Sequence, residues 1–356
     1  MLTSEFLFAL CQRGAEPALK REVTLARPDL RAGYQRPGVV TFRCDRSLPV
    51  DHHLESVLAR VAGLSLGTVP DVAAAAAKVA ALEEKPARLH VIERDLFRPD
   101  EVPPAHPLGA LAKETEAALR AALPGAFPDD ATAKTGDLVL DVIVAPGDPI
   151  LLGVHRHAEG RSPHPGGRYV YEVPAEAPSR AYRKTEEAIA AFELPVRAGD
   201  VAVELGAAPG GGVLALLRRG VTVFAVDPAA LDERVLAFAG PGGAKAVALK
   251  KTMDAVERAD LTAPVQWLLM DVNLAPQVAL RQAARVASLC KGSLLGVVLT
   301  LKLNDWKFLD QLESFLATAR DMGIVGPDAR QLPAHRQEIV LAGLTAKGRL
   351  RIPGPG

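Results

Sequence analysis

Four charged side chains occupy positions from which the surrounding apolar pattern should exclude them. Lys302 closes the run GVVLTL, Asp271 closes WLLM, Glu338 stands inside QEIVL, and Lys184 lies on the amphipathic segment Ser179–Phe192. A lysine ending a buried strand loses water, and desolvation disfavours its charged form. Lys302 is therefore expected to have a lowered pKa, pushed down further by Lys184 if both reach one edge. Glu338 breaks the apolar pattern of its strand in the same way. Singly, these residues have plainer roles: solvated face charges, a helix cap, a snorkelling strand end. Their combination is what points to catalysis.

A second pattern suits a nucleotide-type ligand. Val201–Leu217 (VAVELGAAPGGGVLALL) reads as a short apolar strand, a Gly/Pro turn and an apolar helix from Val213. Glycines in such a turn let the backbone approach a ligand closely. The dinucleotide fingerprint G-x-G-x-x-G would need glycine at Ala208, which counts against a nicotinamide cofactor. Glu204-x-Gly206-x-x-x-Gly210 instead looks like the S-adenosylmethionine (SAM) turn of Rossmann-like methyltransferases. The alternative is a tight strand-to-helix connection that binds nothing. The run Val221–Val226 ends in Asp227, about twenty residues after the first glycine, where a carboxylate accepts from both ribose hydroxyls. Asp227 could also be the cap of the next helix. The expected cofactor set is Glu204, Gly206, Ala207, Pro209, Gly210, Gly211, Asp227 and Asp271, with Met253 and Asp254 near the adenine.

A third stretch carries charge and rings. From His155 to Lys184 there are six Lys/Arg against three acids, with three histidines and Tyr169, Tyr171 and Tyr182. Cations mixed with stacking platforms suit single-stranded nucleic acid, and Arg156, Arg161, Arg168 and Arg180 are the candidate RNA contacts. A solvated linker is the bland reading. His155-x-His157 with His164 has metal-ligand character, but no cysteine or paired carboxylate completes a site, so no metal is expected.

Composition bounds the rest. The chain has 356 residues, enough for two or three domains, and 49% hydrophobic with 24% charged is ordinary globular composition. Lys+Arg and Asp+Glu both number 42, so bulk charge makes no case for a polyanion partner, although a local basic patch would suffice. Cys11, Cys44 and Cys290 are scattered and odd in number, which suggests a reducing compartment, hence the cytoplasm. Glu5 interrupts the first apolar run with no basic segment before it, so no signal peptide is expected. No apolar run is long and clean enough to span a membrane.

These residues need elements to position them. Glu5–Cys11 and Val39–Cys44 read as strands, and Glu16–Leu25 and Leu54–Val61 as helices, a β-α-β-α order that suits a ferredoxin-like α+β module. Beyond Gly67, Val72–Leu82 and Leu108–Leu123 read as helices, Arg88–Glu93 as a strand, Pro99–Pro107 as a loop, and Leu138–Ala145 with Ile150–His155 as a hairpin. From Pro178 onward strands and helices alternate: Val201–Leu205, Val221–Val226, Ala246–Leu249, Val265–Met270 and Ser293–Leu301 are strands. Helices are expected at Ser179–Phe192, around Ala255, at Pro276–Leu289 and at Lys307–Ala319, and Ala329–Gln331 with Gln337–Leu344 as closing antiparallel strands. That rhythm predicts an α/β, doubly wound parallel sheet, with site residues at the carboxyl ends of its strands.

Lys184 in SRAYRKTEEA, GAAPGG, Asp271, Lys302 in LTLKLN and Glu338 in HRQEIV together resemble the K-D-K-E tetrad of FtsJ-type RNA ribose 2′-O-methyltransferases. The similarity covers the C-terminal half well. Further upstream, VHRH and RSPHPGG resemble the end of a THUMP module, an RNA-binding unit. The resemblance implies a ferredoxin-like module at residues 1–70, a THUMP-like module at 71–165 and a Rossmann-like SAM-dependent methyltransferase domain at 166–356. It also implies methylation of a ribose 2′-hydroxyl of structured RNA, a cytidine of 23S ribosomal RNA above all, with Lys302 as base. Two positions depart from the family: Glu204 stands where Asp is usual and Gly212 where Trp is usual. Competing classes are an RNA-binding protein with a silent methyltransferase domain, a methyltransferase of another RNA such as tRNA, and a small-molecule or protein methyltransferase.

Overall fold

Runs of Val, Ile, Leu and Phe too continuous for a solvated face must be covered on both sides, and here they build two seven-stranded sheets. The computed structural model describes residues 2–94 and 109–352, so the loop expected at Pro99–Pro107 lies outside the described residues. The chain divides into two units, Met1–Val170 and Tyr171–Gly356.

The first unit runs β1 (Thr3–Leu10), α1 (Glu16–Ala26), β2 (Leu30–Arg36), β3 (Val39–Pro49), β4 (Val61–Val69), α2 (Val72–Ala80), β5 (Arg88–Glu93), α3 (Ala110–Ala122), β6 (Leu138–Val144) and β7 (Ile150–Arg156). Its sheet has the order β2-β3-β1-β4-β7-β6-β5. Only the β5–β6 pairing is parallel. Phe8, Leu10, Val39, Ile92, Ile143 and Leu151 pack into one buried cluster on it. Strand β4, from the first expected module, lies between β1 and β7, so strands from residues 1–70 and 71–165 share one sheet. Gly63 permits this, because a Cβ there would lie 2.4 Å from the Val154 carbonyl oxygen.

One expectation fails in this unit, and one strand goes unforeseen. No helix forms at Leu54–Val61. The Glu22 carboxylate instead takes the Ser56 hydroxyl and the Val57 N–H, each at 2.6 Å, and Val61 already begins β4. A tertiary carboxylate and an open strand edge outcompete local helix propensity. Strand β2 was not anticipated, because only Leu30 of its seven residues is buried and an edge strand leaves little apolar pattern.

The second unit runs α4 (Ala181–Ala191), β8 (Val201–Leu205), α5 (Gly211–Arg218), β9 (Thr222–Val226), α6 (Glu233–Leu236), β10 (Ala246–Leu249), β11 (Trp267–Asp271), α7 (Pro276–Leu289), β12 (Gly296–Lys302), α8 (Leu312–Asp321), β13 (Ile324–Arg330), β14 (Glu338–Thr345) and α9 (Ala346–Arg349). The sheet order is β10-β9-β8-β11-β12-β14-β13, with β8 to β12 parallel and β14 antiparallel to both its neighbours. This is the expected Rossmann-like α/β sheet. Chain order reverses between β8 and β11, which opens a crevice beyond their carboxyl ends. The helix expected around Ala255 is a single 3-10 turn, Met253–Ala255, and that expected from Lys307 is a 3-10 segment, Trp306–Gln311, followed by α8. At the amino ends of the strands the buried Asp200 carboxylate accepts from Trp267 Nε1 at 2.9 Å and from Arg351, which ties β8, β11 and the C-terminal segment together.

Candidate active site

Parallel pairing decides where the charges meet. Asp271 ends β11 and Lys302 ends β12, and in the antiparallel ladder Lys302 is the direct partner of Glu338, the first residue of β14. Lys184 comes from the buried face of α4, with Tyr182, Thr185 and Ile189. The four side chains close a ring of alternating charge. Lys302 Nζ donates to Asp271 Oδ1 at 2.9 Å and to Glu338 Oε1 at 2.8 Å. Lys184 Nζ donates to Asp271 Oδ2 at 3.0 Å and meets Glu338 Oε2 at 2.5 Å, an ion pair without hydrogen-bond alignment. Each carboxylate thus gives one oxygen to each lysine.

The ring sets the charge states. Burial acts most strongly on Lys302 and would lower its pKa, but Asp271 and Glu338 together outweigh it and hold the amine above its ordinary 10.5. The expected lowering is therefore corrected: a desolvated lysine with two carboxylates in contact keeps its proton more firmly, not less. Burial likewise would raise Asp271, yet the two ammonium groups bring it down to about 2. Glu338 is depressed in the same way, with burial opposed by Lys184, His335 and Lys302.

The glycine turn lies against this ring. A Cβ on Gly206 (φ 78°) would stand 2.5 Å from the Asp271 carbonyl oxygen, so glycine there lets the turn seat directly on the end of β11. A Cβ on Gly211 would meet Ser179 Oγ at 2.3 Å, and one on Gly212 would meet Glu204 Oε1 at 2.3 Å. The space beside these glycines is thus filled by the chain itself, and what remains to face a ligand is backbone N–H at the start of α5. Ala207 is buried beside Pro209 in the same turn, and Gly210 takes the left-handed conformation that leads into α5. Asp227 follows β9, and its two oxygens accept from the Ala208 N–H at 3.1 Å and the Ala229 N–H at 2.8 Å. Each oxygen keeps a lone pair for a ribose hydroxyl.

Glu204 buries a carboxyl oxygen without a hydrogen bond beside this turn. It is 3% exposed, Oε2 has no hydrogen bond, and burial, with Asp271 and Asp227 adding, pushes its pKa up to about 8. A cavity of about 20 Å³ lies beside it, also lined by Lys184, Thr185, Asp271 and Thr300. That space suits one water. An orphaned buried carboxyl oxygen, backbone N–H groups at the start of α5 and a ribose-ready Asp227 fit a nucleoside cofactor such as SAM. Asp254 is exposed on the short turn after β10, and Arg285 fixes that turn through the Met253 carbonyl oxygen.

Of the candidate RNA contacts, Arg156 and Arg161 line one pocket of the first unit, where Arg156 also pairs with Asp51 at 3.0 Å and Glu84 at 2.7 Å. Arg168 lies in the turn that closes that unit, and Arg180 precedes α4 in the second. The sequence reading missed Glu187. It is buried, accepts from Tyr171 Oη at 2.8 Å and from the Ala334 N–H at 2.6 Å, and so ties the segment before Glu338 to α4. Its place one turn after Lys184 on the same helix face was the available signal. His335 is likewise buried near the ring, and burial lowers its pKa to about 4. Among the described residues no group of three or more His, Cys, Asp or Glu is placed to hold a metal ion, and no helix is long and apolar enough to cross a membrane.

No family model matches the chain. A Xanthomonas campestris protein named Ribosomal RNA large subunit methyltransferase M is 31% identical over 258 residues, covering 65% of this chain and 70% of that one. A Shewanella denitrificans protein of the same name is 43% identical over 81 residues, 21% of this chain and 22% of the relative, so the match spans about a fifth of that protein. Among solved structures, magnesium protoporphyrin IX methyltransferase from Synechocystis has a TM-score of 0.34 at 13% identity, over 50% of this chain and 90% of that one, a likeness too slight to bear on function.

Proposed function

The chain belongs to the ribosomal RNA large subunit methyltransferase M family, and from that footing we propose that it is a SAM-dependent methyltransferase acting on a ribose 2′-hydroxyl of large-subunit ribosomal RNA, with a cytidine of 23S rRNA as the expected target. The observation that carries this reading is the closed ring of Lys184, Asp271, Lys302 and Glu338 at the strand ends, seated against the Gly206 turn.

SAM supplies a methyl made electrophilic by its sulfonium. Glu204, Gly206, Ala207, Pro209, Gly210, Gly211, Asp227 and Asp271 would hold it, with Asp254 at the base. Lys302 Nζ, once deprotonated, would take the 2′-hydroxyl proton as that oxygen bonds the methyl and the S–CH3 bond pair stays with the departing thioether sulfur. Asp271 and Glu338 fix Nζ between them, and Lys184 keeps both carboxylates ionised and in place. The ring is formally neutral and holds Lys302 protonated in the free protein. A cationic cofactor beside the ring would lower that amine's pKa, and Lys302 would give its proton to solvent before RNA closes over the site. Arg156, Arg161, Arg168 and Arg180 contact the RNA, and the setting is the reducing cytoplasm.

Lys302→Met keeps the stem and removes the amine, so SAM binding survives while turnover falls about a hundred- to ten-thousand-fold. Lys302→Arg fails equally, because a guanidinium does not deprotonate in proteins. RNA carrying a 2′-deoxy sugar at the target binds without reacting. Near-normal methylation by Lys302→Arg, or methyl found on a base of the deoxy substrate, overturns the reading. Nucleoside analysis of rRNA from cells lacking the protein identifies the lost 2′-O-methyl.

A further inference from the structure

A row of imidazoles crosses the sheet of the first unit around one carboxylate. Asp141 on β6 is 0% exposed, and His155 Nδ1 on β7 lies 2.5 Å from its Oδ2. The ring centroids of His90 and His157 are each 6.2 Å from that of His155. A fully buried carboxylate persists only when paired, so Asp141 fixes the His155 ring with Nδ1 inward and Nε2 outward.

That ring and His157, which is 5% exposed, help to line a pocket of about 50 Å³ whose other basic walls are His53, Arg60, Arg156 and Arg161. No lining residue is an aspartate or glutamate. The walls are held in place. A Cβ on Gly167 would lie 2.7 Å from the Arg60 carbonyl oxygen, so the glycine turn packs directly on the Arg60 backbone, and Arg156 is anchored by Asp51 and Glu84. A small concave site lined by guanidinium and imidazole groups matches the chemistry of a phosphate group.

We infer that this pocket is a phosphate subsite, which takes one phosphodiester group of a bound RNA strand and so fixes the strand's register on the first unit. The inference rests on the RNA reading above. Free inorganic phosphate and mononucleotides present the same chemistry, and the experiment separates them.

The full chain is titrated with a short fluorescein-labelled single-stranded RNA by anisotropy across a salt series, as wild type and as Arg60→Gln, Arg161→Gln and the double variant, with circular-dichroism spectra and melting curves as the fold control. Each arginine removed lowers the slope of log K against log salt by about 0.7, the value for one phosphate contact on a single strand. The histidine ring resonances of the wild type shift on adding RNA, and inorganic phosphate competes. An unchanged slope in the double variant overturns the subsite. Resonances that respond to inorganic phosphate but not to RNA overturn it in favour of a small-anion site. A chain that binds no RNA at any salt overturns the RNA reading itself, which the phosphate titration then distinguishes from an inert pocket.

Discussion

Lys302 and Glu204 are both buried ionisable groups, and their surroundings drive them to opposite charge states. Lys302, between two carboxylates, is held charged; Glu204, near two carboxylates with no cation in contact, is held neutral. The first state has a kinetic signature. Because kcat/KM reports the free enzyme, and Lys302 there titrates above 10.5, kcat/KM rises about tenfold per pH unit from about pH 7 to 9, while kcat bends at lower pH. A plateau in kcat/KM near neutrality would place the base elsewhere. The second state has a thermodynamic one. The folded pKa of Glu204 lies at about 8 against 4.5 for the free group, so between these values the folded state holds the extra proton. Stability is then fully present below pH 4.5 and is lost as pH rises towards and through 8. Glu204→Gln removes this dependence, and its melting temperature gains on the wild type from acid to alkaline pH. Parallel melting curves for the two proteins would show that Glu204 ionises normally.

Strand β8 and the first turn of α5 share one small volume. The extra methylene of Glu204, where the resembling family usually has Asp, brings Oε1 to 2.3 Å from where a Cβ on residue 212 would stand. Gly212 is thus matched to Glu204, and the two departures from the family pattern compensate each other sterically. Gly212→Ala should destabilise by about 1–3 kcal/mol, the ordinary range for overpacking. Pairing it with Glu204→Asp should recover much of that loss, with a coupling of about 0.5–3 kcal/mol in a double-mutant denaturation cycle. Strict additivity would mean that the two positions do not share the space. Gly206→Ala adds a positive φ to a backbone clash with Asp271, so it should displace the end of β11 and impair turnover as well as stability.

The chain consists of two units, each with its own seven-stranded sheet. The charged ring and the glycine turn lie wholly within the second, and the proposed phosphate pocket lies within the first. A fragment beginning at Tyr171 should therefore keep SAM binding by calorimetry and lose RNA affinity by anisotropy. Equal RNA affinity in fragment and full chain would assign recruitment to the second unit. Net charge is zero, so RNA affinity should depend on a few local cations and fall with salt at a modest slope.

Sequence alone determined the second unit and its site in outline. Its strands are continuous apolar runs between glycine and proline breaks, and a charge at the end of such a run has few places to go other than the sheet edge. Asp271 and Lys302 were legible for that reason, Glu338 as a charge inside an apolar strand, Lys184 as a lysine on an amphipathic helix, and the turn from Glu204 to Gly211 by its glycines. Tertiary structure decided three things that local pattern does not carry. The Glu22 carboxylate, more than thirty residues away in sequence, made Leu54–Val61 a loop and strand rather than a helix. The register of β12 on β14 set Glu338 opposite Lys302 and so raised a lysine pKa that burial by itself would have lowered. The turn's glycines make room for the protein's own Asp271, Ser179 and Glu204, which no local pattern announces. In each case the deciding partner is distant in the chain, and pKa and packing depend on what lies within a few ångströms in space rather than on what lies nearby in sequence.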